Sequence, residues 1–224
     1  MKITGYGYSV IGGRETNQDS FLVDNNLKLY AVADGVGGGL RGEEASKMAV
    51  DGLQKKYIPG ELLKPVITQL ADEVLKEGLE SCNGQALMGT TLTAVQVTDS
   101  LIHLCHVGDS RAYLFDGSAL QQLTEDHEFF DEESNGAVLS SYLGLDTRVH
   151  QLTILEESIE AKGGQALLMC SDGLYKQMTE MQLVTHLRNH FNEPQKLLEL
   201  LCNEASKVEY SDNITIVLVL FENP

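Results

Sequence analysis

Residues 2–9 alternate apolar and polar positions with a period of two, the signature of a half-buried strand. Two further short strands, 21–23 and 27–33, are joined by an Asp24-Asn25-Asn26 turn. The period then changes. Over residues 43–57, Ala45, Met48, Ala49, Leu53 and Tyr57 fall on one face of a helix whose first turn is acidic, as the helix dipole favours. A second helix is predicted over 61–79 through Leu62, Val66, Ile67, Leu70, Val74 and Leu75. Strands resume at 90–97, 101–107, 111–115 and 119–123. Their links, Asp99-Ser100, Asp109-Ser110 and Asp116-Gly117, are short enough to predict antiparallel hairpins, Asp116-Gly117 most strongly. From Thr124 to about Ser141 the pattern dissolves into a polar, acidic stretch, where an irregular loop is expected. Strands return at 152–155 and 166–170. Thr179, with Gln182 three residues on, forms a capping box that opens a helix over 179–191. Pro194 suits the first turn of another helix, to about Val208, presenting Leu197, Leu198, Leu201 and Ala205. Residues 214–221 close the chain as a strand.

Strict alternation of strand and helix would point to a doubly wound parallel sheet. This order, runs of strands interrupted by two helical pairs, fits two antiparallel sheets with a helix pair outside each. The fold class is therefore α+β, and 224 residues suit a single domain spanning 1–224.

Hydrophobic residues make up 42% and charged residues 22%, a globular balance that supports a core without disulfides. The net charge of −17, from 33 acidic against 16 basic residues, disfavours nucleic acid and anionic membranes as partners. Cys82, Cys105, Cys170 and Cys202 form no Cys-x-x-Cys pair, which argues against a zinc site or a disulfide framework. Cys105 and Cys170 lie in apolar runs and read as buried thiols. No secretory signal is apparent, and no apolar run approaches the ~20 residues a membrane span needs. A cytoplasmic location is expected.

Five short segments place an aspartate beside strand-like sequence: Asn17-Gln18-Asp19, Ala33-Asp34-Gly35, Gly108-Asp109-Ser110, Ser171-Asp172-Gly173 and Ser211-Asp212-Asn213. Each alone is ordinary turn chemistry. As a set they describe a carboxylate site, and oxygen ligands favour magnesium or manganese over zinc. The glycines of Gly35-Val36-Gly37-Gly38-Gly39 would let backbone carbonyls approach a ligand closely. The loop lacks the lysine of a nucleotide-binding loop, and Asp34 would repel a phosphate unless a cation lay between.

Seven segments in order carry a resemblance: Arg14-x-x-Asn17-Gln18-Asp19-Ser20-Phe21, Ala33-Asp34-Gly35-Val36-Gly37-Gly38, Gly89-Thr90-Thr91, His106-Val107-Gly108-Asp109-Ser110-Arg111-Ala112-Tyr113, Leu123-Thr124-x-Asp126-His127, Ser171-Asp172-Gly173-Leu174 and Asp212-Asn213-Ile214-Thr215. From residue 5 to 220 the chain resembles the metal-dependent serine/threonine protein phosphatases of the protein phosphatase 2C type, in their short bacterial form. The resemblance implies a four-layer α-β-β-α sandwich with metals in a cleft at one end. It implies that Asp34 bridges two Mn2+ or Mg2+ ions, that the Gly35 carbonyl binds one, and that Asp172 and Asp212 complete the other. Asp19 would support the second metal, Asp109 with Asp172 would hold a third, weaker one, and Arg14 would bind the substrate phosphate. Two cations sharing a water lower its pKa and aim it at phosphorus, so the catalytic residues are Arg14 and Asp34 and no protein nucleophile is needed.

Two departures from that pattern stand out. Val36 replaces a histidine that some members carry as an acid, which leaves that role to a metal-bound water. His127 reads as a structural residue near a turn, and His103 and His106 beside a strand turn read as packing residues. The flap between His127 and Gly144 is shortened and acidic, so access should be more open. Glu125, Asp126, Glu128 and 131–133 could select basic phosphopeptides or form a plain solvated loop. The partners expected are a phosphoprotein substrate and a cognate bacterial serine/threonine kinase, with the phosphatase a monomer. Two alternatives remain open from sequence: a small-molecule phosphoesterase, and an inactive binding module.

Overall fold

The first and last strands of the chain pair with each other over nine residues, from Lys2 opposite Glu222 to Val10 opposite Ile214. A computed structural model describes residues 1–36, 41–133 and 135–223. In chain order the elements are β1 (Lys2–Val10), β2 (Asp19–Asp24), β3 (Leu29–Asp34), α1 (Gly42–Lys56), α2 (Leu63–Ser81), β4 (Leu92–Thr98), β5 (Leu101–Val107), β6 (Arg111–Phe115) and β7 (Leu120–Gln122). They continue through β8 (Glu128–Asp131), β9 (Gly136–Leu139), β10 (Leu155–Glu160), β11 (Ala166–Cys170), the single turn α3 (Asp172–Tyr175), α4 (Glu180–His190), α5 (Pro194–Ala205) and β12 (Ile214–Glu222).

Apart from the β8–β9 pair, the strands form two antiparallel sheets, β1-β12-β11-β6-β7 and β10-β5-β4-β3-β2. Central strands are apolar on both faces, and the pleat sends alternate residues to opposite sides. In β12, Ile214, Ile216, Leu218 and Leu220 face α4 and α5, while Val217, Val219 and Phe221 enter the core between the sheets. In β3, Leu29, Ala31 and Ala33 pack on α1 and α2, while Tyr30 and Val32 join the same central core. Three apolar layers thus separate four structural layers, and the α-β-β-α sandwich is as expected. The capping box at Thr179 and the proline at the start of α5 are also as expected.

Four expectations are corrected. The Asp109-Ser110 link does not close a hairpin: β5 and β6 lie in different sheets, and the chain crosses between them at Gly108. Gly108 has a φ of +108°, and a Cβ there would lie 2.6 Å from Thr91, so only glycine fits this crossing. The strand expected at 152–155 lies instead at Leu155–Glu160, as an edge strand on β5. Its exposed Glu156, Glu157 and Glu160 hid it from an apolar-pattern reading, and charges on an edge discourage further pairing. The region expected to be an irregular loop contains the β8–β9 hairpin, pairing Glu128 with Leu139 through Asp131 with Gly136. Leu62, placed on the apolar face of the second helix, precedes its first turn and is 63% exposed.

Among the described residues, no helix is long and apolar enough to cross a membrane.

Candidate active site

Asp19 opens β2 and Asp34 ends β3, and the antiparallel register sets the two directly opposite each other. The backbone after Asp34 is clamped by the Gly89-Thr90-Thr91 segment. Thr91 N–H and the Thr90 hydroxyl both donate to the Asp34 carbonyl, at 2.8 and 2.9 Å, and the Asp34 N–H donates to the Thr91 hydroxyl at 2.9 Å. Gly35 N–H donates to the Gln18 carbonyl and Val36 N–H to the Gly89 carbonyl. A Cβ on Gly35 would lie 2.8 Å from Gly42 Cα, so glycine lets the start of α1 approach this turn. The rest of the glycine loop, Gly37-Gly38-Gly39, lies outside the described residues.

Asp172 begins α3 immediately after β11, and Asp212 lies just before β12. Those two strands are hydrogen-bonded neighbours, which brings the two aspartates to one end of their sheet. Asn213 ties this end to the loop carrying Arg14: its amide donates to the carbonyls of Ile11 and Thr16, and its oxygen accepts from Gln18 N–H at 2.8 Å. A cleft of about 840 Å³ opens here, lined by Arg14, Asp34, Gly35, Asp109, Asp172 and Asp212. Asp19 is not on its surface. It lies beneath, 8% exposed, with Oδ2 accepting from the Ser171 hydroxyl at 2.8 Å.

Burial, reinforced by neighbouring carboxylates, raises the proton affinity of Asp34, Asp19 and Asp109. Burial pushes Asp34 well above the carboxylate range, and Asp19, Asp172, Asp109 and Asp212 add to the effect. Burial likewise pushes Asp19 and Asp109 up to about 6, opposed at Asp19 by hydrogen bonds from Thr215 and Ser171. Asp19 Oδ1 and Asp172 Oδ1 are buried with no hydrogen-bond partner. A native structure seldom leaves such atoms without a role. Among the described residues, no three acidic, histidine or cysteine side chains are drawn into a ready-made ion-binding cluster. Two basic side chains share the carboxylates instead. Arg14 Nη2 donates to Asp212 Oδ2 at 2.6 Å, and Lys176 Nζ lies 2.6 Å from Asp172 Oδ2 and 3.8 Å from Asp109 Oδ2.

Lys176 was not singled out by the sequence. Its signal was the four-residue spacing from Asp172, which a single helical turn converts into contact.

The cleft also has an apolar wall, formed by Phe129, Val138 and Leu139 of the hairpin with Tyr142 and Leu145. His106 and His127 have structural partners. His106 lies inside β5 and is fully buried, bonded to the Thr93 hydroxyl and donating from Nε2 to the Glu125 carbonyl. His127 accepts from Gly108 N–H at its Nδ1, and the two rings lie 4.9 Å apart. Asp126 is taken up by Arg111, whose Nε and Nη2 both donate to it while the guanidinium stacks on Tyr175 at 3.7 Å. An aspartate so held is a structural anchor of the flap, which corrects its listing among residues that could select a basic peptide.

The Protein phosphatase 2C family pattern matches residues 6–209. The serine/threonine phosphatase stp of Listeria monocytogenes serotype 4b is 30% identical over 228 aligned residues, covering 92% of this chain and 89% of the relative. The crystal structure of the Mycobacterium tuberculosis serine/threonine phosphatase PstP/Ppp superposes with a TM-score of 0.84 at 27% identity, covering 99% of both chains. The catalytic domain of PstP in complex with two manganese ions superposes with a TM-score of 0.80 at 25% identity, again covering 99% of both.

Proposed function

The chain belongs to the protein phosphatase 2C family, and from that premise we propose how its residues hydrolyse phosphoserine and phosphothreonine in proteins. It is a metal-dependent serine/threonine protein phosphatase. The single observation that carries the assignment of roles is the convergence of Asp34, Asp109, Asp172 and Asp212 on one cleft with Arg14 at its rim.

The residues fit hard divalent ions. All the donors are oxygens, two buried carboxylate oxygens lack partners, and Asp34 is half-buried among like charges that a cation would relieve. Asp34, the Gly35 carbonyl, Asp172 and Asp212, supported by Asp19, would hold two Mn2+ or Mg2+ ions. When bound, such ions polarise the phosphoryl group and acidify a water, chemistry that needs no protein nucleophile.

The protein's own contribution is placement. Arg14, half exposed, offers a planar fork to the phosphoryl oxygens and offsets their charge. Thr90 and Thr91 fix the Asp34 backbone on both sides, so its carboxylate enters the cleft from a rigid strand end. Val36 offers no proton, so no side chain at that position serves as the acid. The apolar wall of Phe129, Val138 and Leu139 gives the polypeptide around the phosphorylated residue a surface to rest on, which favours a protein substrate over a phosphosugar.

The shared central core of the two sheets supports one catalytic domain spanning the chain. Cys82, Cys105, Cys170 and Cys202 are free and buried, which suits a cytoplasmic monomer opposing a serine/threonine kinase in the same compartment. Manganese-dependent phosphate release from a phosphothreonine peptide, an aryl phosphate and phosphosugars tests the reading. Turnover of the peptide that disappears in Asp172→Asn is expected, and activity on small esters alone would redirect it to a small-molecule phosphoesterase.

A further inference from the structure

Lys176 is the C-cap of the α3 turn, and its N–H donates to the Asp172 carbonyl at 3.0 Å. That bond sets the two side chains on one face. The ammonium lies against Asp172 and close to Asp109, whose side chains are only 17% and 12% exposed. This pair of carboxylates, offered by one strand crossing and one helix start, is the pair expected to take a third ion. We propose that Lys176 is a built-in counter-ion that fills the electrostatic place between Asp109 and Asp172, so that this protein binds divalent ions at its core site and none between those two carboxylates.

The argument is one of like charges at close quarters. A dication seated between Asp109 and Asp172 would have to displace an ammonium already 2.6 Å from one of them, or lie beside it, and either is unfavourable in a partly buried site. The balance of charge agrees. Against Asp19, Asp34, Asp109, Asp172 and Asp212, two divalent ions with Arg14 and Lys176 leave a single positive charge for the phosphate. A third ion would leave three. The Lys176 side chain is half exposed and belongs to no apolar cluster, so its replacement leaves the core intact.

The inference rests on the two-ion reading above, and its test separates the two. Equilibrium dialysis of the full chain against Mn2+, with free manganese read by electron paramagnetic resonance, gives the number of ions bound. The wild type is expected to saturate at two. Lys176→Met and, independently, Lys176→Gln gain a third ion that is the weakest bound, and adding Asp109→Asn to either returns the count to two. Thermal unfolding without metal checks that both variants fold. Three ions in the wild type, or two in both single variants, would overturn the role of Lys176 while leaving the core site standing. No bound manganese in the wild type would overturn the core site as well.

Discussion

Arg14 donates to Asp212 at 2.6 Å across 198 residues of sequence. The arginine proposed to bind phosphate and a carboxylate proposed to hold metal are therefore mutual partners. The sequence alone had set Arg14 apart from the metal residues, and the contact refines that. Arg14→Ala removes the fork and frees Asp212. The KM for a phosphopeptide is expected to rise about 10- to 100-fold, the size of a lost charge-assisted contact, with manganese affinity unchanged or tighter. A large loss of manganese affinity in that variant would contradict the assignment.

Metal removal and pH act on the same carboxylates. With Asp19 and Asp109 pushed up to about 6, the folded state holds protons that the unfolded chain releases nearer 3.8. The contribution of these groups is thus greatest at low pH and is lost as pH rises through about 6. In chelator, Asp19→Asn is expected to stabilise the protein at pH 7.5, by up to about 3 kcal/mol, with the gain fading toward pH 4. Manganese should raise the wild-type melting temperature at pH 7.5 more than at pH 5. Calorimetry over that range decides, and a gain in Asp19→Asn that is the same at both ends would count against it.

His106 titrates in the opposite sense. Burial, and then the neighbouring His127, hold it down to about 4, between the Thr93 hydroxyl and the Glu125 carbonyl. The folded state binds fewer protons than the unfolded chain between that value and 6.5, so this stability is complete above pH 6.5 and is lost as pH falls. His106→Gln should flatten the dependence of urea stability on pH over that window, which in the wild type is worth about 3 kcal/mol. It also removes the ring that links the Thr93 hydroxyl to the Glu125 carbonyl, two residues along the chain from the Thr91 that holds Asp34, so some activity is lost at every pH. An unchanged pH slope would rule the assignment out.

The apolar wall predicts a split between substrates. Phe129→Ala and Val138→Ala remove surface that a polypeptide would touch and an aryl phosphate would not reach as far. A several-fold rise in KM for phosphopeptides is expected, from about 1 kcal/mol of lost apolar contact, with aryl phosphate kinetics little changed. Equal effects on both substrates would place the substitutions in the phosphate site itself.

Much of this was legible in the sequence because burial writes itself as pattern. The continuous apolar runs of β3, β11 and β12 read as strands covered on both faces, and each borders a motif aspartate. Beyond β10 and Leu62, three features escaped for physical reasons. The β8–β9 hairpin is short, and its acidic residues resemble those of a solvated loop. The crossing at Gly108 looks locally like any two-residue turn, since nothing in Gly-Asp-Ser says that the next strand pairs in another sheet. The Lys176 contact depends on a single helical turn too short to produce a periodic signal.

The pairing of β1 with β12 has a consequence in time. In its sheet the opening strand has β12 as its neighbour, and β12 leaves the ribosome after β1 to β11. Arg14 emerges early and waits for Asp212, while Asp19 waits for Ser171. A chain halted before residue 214 lacks the strand that aligns them, so the site is completed only once β12 has joined its sheet.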